Sequence, residues 1–519
     1  MVRGDSEVTD MTGKIILPLE NQGFLIAYES KLPHELPPPE ASDLLFKNSG
    51  VRSQESEFRR QKAGVGAGHA REASSPAVFQ LSRYTHPEPW SEAGQAQVCQ
   101  SLVEWRFDGE AHQVVRGCVW KEERSLEEIR NWLLQAPEDP LRHIAQQIGA
   151  AVIHPDRPLK LQRLDIPKPW GFECWYTGVE KRGVVRVGDA SGTTELPHAL
   201  SLFPRELRGL HPQQLVLLKT LNPVPQEVLG DLYLELHEEK WEVYVVTEIN
   251  LQAWPDGVGI VKAGPHPEKL RQYQDTHGTQ WEAAFRCEFR EAIRCYEKVR
   301  RELDARLDET KQDWGLDPQA PLKPEQLQQL LETVPAEQAE VERKLRLEVE
   351  GFIGDCRVRV GDIVAFPTFN LHSLRHGIRV VEFQTPHYER RIAFFAQKVL
   401  TQAHWDTDRA LEVMDLTPYQ PPPPQLVRED AGVRVEQFVD FPDFTAHRVT
   451  LDAGQSCAWD TGTAYHLWIA VNGAVTFTWE DDSMQLAAEE SLMMPMARGA
   501  YEMSNPGSEP LILLLARPT

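Results

Sequence analysis

The sequence lacks several features that would place it in a special class of protein. Its seven cysteines are scattered over 519 residues without a Cys-x-x-Cys pair, so we expect reduced thiols. No apolar run approaches the roughly 18–20 residues that cross a bilayer. The first 19 residues also lack the charged, apolar and small-residue regions of a secretory signal peptide. These absences predict a cytoplasmic protein without a membrane-spanning segment.

Positive charge is also scarce. The chain has 55 Lys and Arg residues against 78 Asp and Glu residues, a formal net charge of −23. Nucleic acids and anionic membranes are bound through an excess of Lys and Arg, so this balance argues against both partners. Hydrophobic residues at 41% and charged residues at 26% are ordinary for a globular protein. The length predicts roughly three domains.

The first 160 residues carry few clear structural patterns. Residues 31–42 and 59–77 are rich in Pro, Gly, Ala and Ser, which predicts loops. Residues 125–153 instead show helical periodicity, with Ser125 and Glu128 as a capping box at the start. We therefore assign residues 1–160 to an N-terminal α/β extension whose role the sequence does not indicate.

The rest of the chain alternates between strand and helix patterns. Short runs rich in Val, Leu and Tyr predict strands in residues 161–264 and again in 352–415. Between them, residues 265–351 have helical periodicity with breaks at 314–324 and Pro335. We predict one β-barrel interrupted by a helical insert. After a proline-rich linker, regular short strands over 425–519 predict a second small barrel. The fold class is therefore mainly β with helical parts.

One strand-like stretch, LYLELHEEKWEVYVV at 232–246, carries Glu235, His237 and Glu242 among its apolar residues. Residues two apart share a strand face, so Glu235 and His237 point the same way. A tight turn in HEEKWE would bring Glu242 alongside them. Buried unpaired ions are very costly, and a divalent metal would supply the compensating charge. The alternative is an exposed edge strand whose charges face water.

A second stretch, GDIVAFPTFNLHSLRHGI at 361–378, places a Gly-Asp turn, a strand and a proline before His372. Barrels of the cupin type use this arrangement, in which a first cluster of His and Glu ligands is completed by a late histidine. His372 is therefore the predicted fourth ligand. His376 competes with it, but its spacing from Pro367 fits less well.

The motifs at 232–246 and 361–378, and their order along the chain, resemble those of the type I phosphomannose isomerase family. This family comprises the zinc-dependent mannose-6-phosphate isomerases of the cupin superfamily. KPWG at 168–171 and the segments at 191–209, 215–223 and 380–395 are similar to family segments. The likeness covers roughly residues 165–519. It implies two cupin-like β-barrels, or jelly rolls. The second is expected to hold no metal, because His466 has no second ligand at cupin spacing.

The resemblance also implies a site and a chemistry. One divalent metal, zinc or else manganese or iron, would bind beside a sugar or sugar phosphate. The reaction would pass through an enediol, with a general base and a positive charge near the oxyanion. The implied metal ligands are Glu235, His237, Glu242 and His372; the implied catalytic residues are Arg391, Lys240 and Glu382; and the implied substrate contacts are Lys219 and Tyr233.

Each implied role has a simpler structural alternative. Arg391 could form a salt bridge with Glu389 or another surface carboxylate. Lys240 could be a solvated strand end, and Glu382 a charge at the rim of a strand. Lys219, a charge inside an apolar strand pattern, could be a snorkelling lysine.

Three departures from the family pattern bear on the substrate. Glu235 replaces a glutamine, the segment after His237 is shorter, and Tyr233 replaces a small hydroxyl residue associated with the phosphate. The sequence thus leaves three functions open. They are a metal-dependent aldose–ketose isomerase, a non-catalytic cupin that binds a carbohydrate or metabolite, and an iron-type cupin oxygenase.

Overall fold

A computed structural model describes residues 8–9, 15–19, 23–29, 77–86, 96–108, 111–136, 138–180, 183–202, 215–317, 322, 324–386, 389–399, 402–480 and 482–519. Apart from Ala77, which begins a strand, the predicted loops at 31–42 and 59–77 lie outside these residues, as does part of the segment at 191–209. Strands dominate the described chain, which confirms the predicted class of mainly β with helical parts. None of the described helices combines the length and apolarity that a membrane span requires.

The N-terminal unit is a six-stranded sheet followed by two helices. The strands, in their order across the sheet, are β1 (Val8–Thr9), β2 (Ile15–Pro18), β3 (Gly23–Glu29), β4 (Ala77–His86), β5 (Gln97–Asp108) and β6 (Ala111–Trp120). Helices α1 (Leu126–Gln135) and α2 (Pro140–Ile148) follow. Leu102 of the sheet packs with Ile129 and Ile144 of the helices in one buried cluster. As predicted, Ser125 caps α1, its Oγ accepting from the Glu128 N–H at 3.2 Å.

A connecting segment then supplies strands to both barrels. It consists of β7 (Leu159–Gln162), β8 (Leu164–Lys168), β9 (Gly171–Trp175), β10 (Val179–Glu180), β11 (Gly183–Val184), β12 (Arg186–Gly188), β13 (Thr193–Glu195) and helix α3 (Leu196–Ser201). Strands β8 and β9 join the first barrel, whereas β7, β12 and β13 join a sheet of the C-terminal barrel.

The first barrel is built from two facing sheets. Its remaining strands are β14 (Leu217–Pro223), β15 (Leu234–Leu236), β16 (Glu242–Ile249), β17 (Gly259–Pro265), β18 (Ile353–Val358), β19 (Ile363–Phe366), β20 (His372–Leu374), β21 (Ile378–Gln384) and β22 (Arg391–Phe394). One sheet has the order β19-β16-β21-β14-β9-β8 and the other β18-β17-β20-β15-β22. Side chains of both sheets, such as Leu221 and Val261, share one apolar core.

The predicted helical insert lies between β17 and β18. It contains α4 (Pro267–His277), α5 (Trp281–Asp313), α6 (Pro324–Leu331) and α7 (Ala336–Glu350), and α8 (Thr407–Val413) packs nearby after β22. Pro335 immediately precedes α7, at the predicted break. The apolar face of α5 is buried through Phe285, Phe289 and Tyr296 against Leu236 and Phe394 of the barrel. The insert is thus fixed to the strands that carry the site.

The C-terminal barrel comprises β23 (Gln425–Asp430), β24 (Val433–Asp440), β25 (Phe444–Leu451), β26 (Ser456–Asp460), β27 (His466–Ala470), β28 (Val475–Trp479), β29 (Asp482–Leu486), β30 (Ser491–Met494), β31 (Ala500–Ser504) and β32 (Leu511–Pro518). One of its sheets has the order β13-β12-β7-β30-β27-β32-β25-β24-β23, and the other β26-β31-β28-β29.

The boundary between the barrels differs from the one we predicted. Residues 161–264 were assigned to the first barrel, but β7 pairs with β30 through Leu161 and Ser491, and β12 pairs with β7. The physical reason is a shared core, because Leu161 and Val187 belong to the same buried cluster as Met493. The two barrels therefore do not divide at a single position in the sequence.

Candidate metal centre

The structure brings the four predicted metal ligands together inside the first barrel. One ligand atom each of Glu235, His237 and His372 lies within 4.8 Å of the other two. The carboxylate of Glu242 spans the two histidines, with Oε2 at 3.4 Å from His237 Nε2 and Oε1 at 3.5 Å from His372 Nε2. Both imidazoles and Glu242 are at most 2% exposed. These charged side chains therefore face the barrel interior and do not form an exposed edge strand, which was the alternative interpretation of the sequence.

Two sheets supply these side chains. Glu235 of β15 pairs directly with His372 of β20, which sets both on one sheet. Glu242 begins β16 in the opposite sheet, where it pairs with Gln384. The segment HEEKWE is thus a crossing between sheets rather than the tight hairpin that would bring Glu242 back beside Glu235. The ligand set closes across the barrel interior.

Backbone carbonyls orient both imidazole rings. Nδ1 of His237 lies 2.8 Å from the carbonyl oxygen of Glu389, and Nδ1 of His372 lies 2.9 Å from that of Asn370. A carbonyl only accepts, so each Nδ1–H donates and each Nε2 presents its lone pair to the cluster. His237 Nε2, His372 Nε2 and Glu235 Oε2 are buried without a hydrogen-bond partner. Three such atoms beside a carboxylate fit a divalent cation.

The pKa shifts of Glu242 and His237 also favour binding of a divalent cation by the cluster. Burial would raise the pKa of Glu242, but Lys240 and the two histidines lower it well below its usual range. Burial, reinforced by Lys240, lowers the pKa of His237. An ionised carboxylate and a neutral imidazole are the forms that bind metal.

A small cavity of about 50 Å³ adjoins the cluster and is lined by the other predicted site residues Lys219, Tyr233, Lys240 and Glu382. Lys219 Nζ lies 3.9 Å from Glu382 Oε1, and Lys240 Nζ donates to Gln384 Oε1 at 3.1 Å. Burial, followed by the charge of Glu242, raises the pKa of Glu382 to about 8. Glu382 is therefore a buried carboxyl rather than a charge at a strand rim, and both lysines face the cavity.

Arg391 is the predicted site residue that the structure does not bring into the cavity. Its Nε donates to Glu238 at 2.8 Å, and 38% of its side chain is exposed. The cavity is lined instead by Arg390, whose Nη1 lies 4.0 Å from Glu235 Oε2 and whose guanidinium lies 4.6 Å from the ring centre of Tyr233. Arg390 thus lines the cavity and Arg391 does not.

His376, the competitor for the fourth ligand position, has a different partner. Its Nδ1 lies 2.8 Å from Asp231 Oδ1, and Arg375 Nη2 lies 3.0 Å from the other carboxylate oxygen.

The sequence patterns did not identify two further residues of the site. Glu389 orients His237 through its carbonyl, and Gln384 holds Lys240. A backbone acceptor leaves no signal in a sequence, whereas Gln384 lies in the segment that resembles the family.

No protein-family model and no curated protein matches this sequence. Solved structures do match. Mannose 6-phosphate isomerase from Bacillus subtilis is 12% identical with a TM-score of 0.47, covering 69% of this chain and 99% of its own. A variant of phosphomannose isomerase from Salmonella typhimurium is 12% identical with a TM-score of 0.48, covering 69% and 98%. A zinc-bound mannose 6-phosphate isomerase is 11% identical with a TM-score of 0.45, again covering 69% and 98%. These solved structures carry the name of the family that the sequence motifs resemble.

Proposed function

We propose that this chain is a metal-dependent aldose–ketose isomerase that acts on a sugar through an enediol. The observation that carries the proposal is the convergence of three buried, unpartnered ligand atoms on His237, His372 and Glu235, with Glu242 between the histidines. The buried carboxyl of Glu382 lines the same cavity as Glu235 and Glu242. A Lewis acid beside a titratable carboxyl is the pair of groups that this reaction needs.

The roles follow from the positions of the side chains. Glu235, His237, Glu242 and His372 would hold the metal, which supplies polarisation of the sugar carbonyl when bound. Glu382, with a pKa of about 8, is suited to take a proton from one carbon and return it to the next near neutral pH.

Two cations of the cavity have a further role. Lys219 and Arg390 line the cavity, and their positive charge would stabilise an enediolate bound there. Lys240 keeps Glu242 ionised and is held in place by Gln384.

The charges of the cavity favour a sugar without a phosphate. Its described cations are Lys219, Lys240 and Arg390, and its described carboxylates are Glu173, Glu235, Glu242, Glu382 and Glu389. With Glu382 protonated and one divalent cation bound, these charges nearly cancel. That balance suits a singly charged enediolate, whereas a phosphate dianion needs several additional donors. Tyr233 occupies the wall where the family has a small hydroxyl residue. We therefore propose an unphosphorylated aldose as the preferred substrate.

An isomerisation assay on the zinc-loaded protein tests the proposal, using a panel of free and phosphorylated aldoses with oxygen uptake followed in parallel. We expect conversion of an aldose to its ketose without oxygen consumption, and loss of that conversion in Glu382→Gln with the metal retained. Oxygen uptake without isomerisation would point to an iron-type oxygenase instead.

The size of the cavity favours a second candidate, a cupin that binds a metabolite without converting it. Small-molecule sites usually enclose about 300–1,000 Å³, whereas this cavity encloses about 50 Å³. A non-catalytic protein would bind a sugar or metabolite in a metal-dependent way and leave every aldose of the panel unchanged. An isomerase would produce the ketose.

A further inference from the structure

The interior of the C-terminal barrel changes from apolar to polar at one end. On the neighbouring strands β25, β32 and β27, the inward positions Val449, Leu513 and Ala470 belong to the apolar core. Toward that end, the same faces carry Thr445, Arg517 and His466. Thr445 pairs with Arg517, and the pairing of Leu467 with Ala516 sets His466 beside Arg517. Three polar side chains therefore lie in one row across three strands, at the mouth of the barrel.

The hydrogen bonds of His466 fix which of its nitrogens carries the proton. Trp468 Nε1 donates to the Tyr501 hydroxyl oxygen at 2.9 Å, and that hydroxyl lies 2.7 Å from His466 Nδ1. The hydroxyl hydrogen is then free to be donated to Nδ1. Burial, followed by the charge of Arg517, lowers the pKa of His466 to about 3. The ring is therefore neutral, and when Nδ1 accepts from Tyr501 its hydrogen is on Nε2, which is buried and has no acceptor.

Further polar groups around this histidine also lack partners. Thr445 Oγ1 and His447 Nδ1 are buried without a hydrogen bond. The ring of Trp459 packs edge-on against both imidazoles, at 5.9 Å from His466 and 6.5 Å from His447. Arg517 is exposed, and no carboxylate of the described chain is recorded within 4.0 Å of its guanidinium. A buried donor, a hydroxyl and an unpaired cation thus share one aromatic-walled end of the barrel.

We propose that this end of the C-terminal barrel binds a small carboxylate. Arg517 and the Nε2–H of His466 would donate to its oxygens, and Thr445 would add a hydroxyl contact. A charged acceptor is the group that these donors lack.

The charge of the site selects a monoanion. Among the described residues, Arg517 is the one Arg or Lys that acts on both His447 and His466, and Asp440 and Asp460 lie close enough to act on His447 and His466 respectively. Beside these two carboxylates, a phosphate dianion would bring two negative charges against the one guanidinium, whereas a monocarboxylate brings one, which Arg517 can offset. The mouth of a β-barrel is also a usual place for a ligand.

Calorimetric titration of the full-length protein with sodium acetate, in a carboxylate-free buffer, tests the proposal. We expect saturable binding that weakens about tenfold or more in Arg517→Gln, because a charge-assisted contact is lost. Arg434→Gln is the matched control, since Arg434 is an exposed arginine of the same barrel already paired with Glu429 and Glu436. It should bind acetate as the unaltered protein does.

The indole N–H resonance of Trp459 localises any binding, and we expect it to shift with acetate in the unaltered protein and not in Arg517→Gln. Absence of saturable acetate binding would overturn the proposal, as would equal binding by Arg517→Gln. Inorganic phosphate is the second probe, and stronger binding of phosphate than of acetate would show that the ligand class is wrong.

Discussion

At the scale of single residues, Arg390 and Arg391 are adjacent in the sequence but their side chains lie in different environments. Arg391 opens β22 and bonds to Glu238 at the surface, whereas Arg390 precedes the strand and lines the cavity. The sequence segment ERRI predicts an arginine near the site. It does not predict which one, because Glu389 and Arg390 lie outside β22 and strand alternation does not extend to them.

The two arginines provide a matched pair of substitutions. We expect Arg390→Gln to lower kcat/KM by about 10- to 100-fold, the effect of losing one charge-assisted contact. Arg391→Gln should change it by no more than about twofold, because exposed ion pairs contribute little. Steady-state kinetics with equal metal content in both variants checks this. A larger loss in Arg391→Gln would restore the original assignment.

Glu382 makes a pH-dependent contribution to stability in the metal-free protein. Its pKa is about 8 in the folded chain and about 4.3 when unfolded. Between these values the native state binds more protons than the unfolded state, so the free energy of unfolding falls as pH rises. Glu382→Gln removes that component, and its stability relative to the unaltered protein should increase from pH 5.5 to pH 8. Urea unfolding in the presence of a chelator measures it, and a difference independent of pH would contradict the assignment.

At the scale of elements, short strands position the ligands, and the sequence predicted part of this arrangement. The spacing of Glu235 and His237 predicted that both share one strand face, and the structure places His372, the predicted late histidine, beside them. The origin of Glu242 in the opposite sheet was not predictable, because the same short connection fits a hairpin or a crossing. The helices within residues 267–350 follow a 3.6-residue periodicity, which is a local signal in the sequence.

One buried carboxylate holds the start of β15 in place. Asp231, three residues before Leu234, contacts Arg375 and His376, which follow β20. Burial would raise its pKa, but Arg375 and His376 hold it at about 2.

We expect Asp231→Asn to lower the free energy of unfolding by about 3 kcal/mol, because Arg375 is left buried with less compensation. The loss should be full at pH 7 and shrink as pH falls from about 4 toward 2, where Asp231 itself becomes protonated. Denaturant titration measures it. Glu340→Gln, which removes an exposed pair with Arg343 on α7, is the control and should leave the free energy of unfolding nearly unchanged. Equal effects of the two substitutions would show that Asp231 is not an anchor.

At the scale of the whole molecule, the connecting segment joins the two barrels. The pairing of β7 with β30 links residues more than 300 positions apart. Such a contact depends on the final packing of both barrels and leaves no local pattern in the sequence. The sequence therefore indicates where the helical insert lies. It does not indicate which barrel each strand between residues 159 and 195 joins.

The substrate preference belongs to this scale as well, because it depends on the summed charge of the cavity. We expect kcat/KM for mannose or a related free aldose to exceed that for mannose 6-phosphate. Loss of one charge-assisted phosphate contact weakens binding by roughly 10- to 100-fold. Coupled assays with both sugars measure the ratio. A preference of several decades for the phosphorylated sugar would show that the inference from Tyr233 and the cavity charges is wrong.

The metal content of the purified protein tests the central claim most directly. Elemental analysis after loading with zinc and removal of the excess should give one divalent ion per chain. The double variant His237→Ala, His372→Ala should retain almost none, and His404→Ala, which alters an exposed histidine outside the cluster, should retain the full amount. Equal metal in the unaltered protein and the double variant would contradict a centre formed by Glu235, His237, Glu242 and His372.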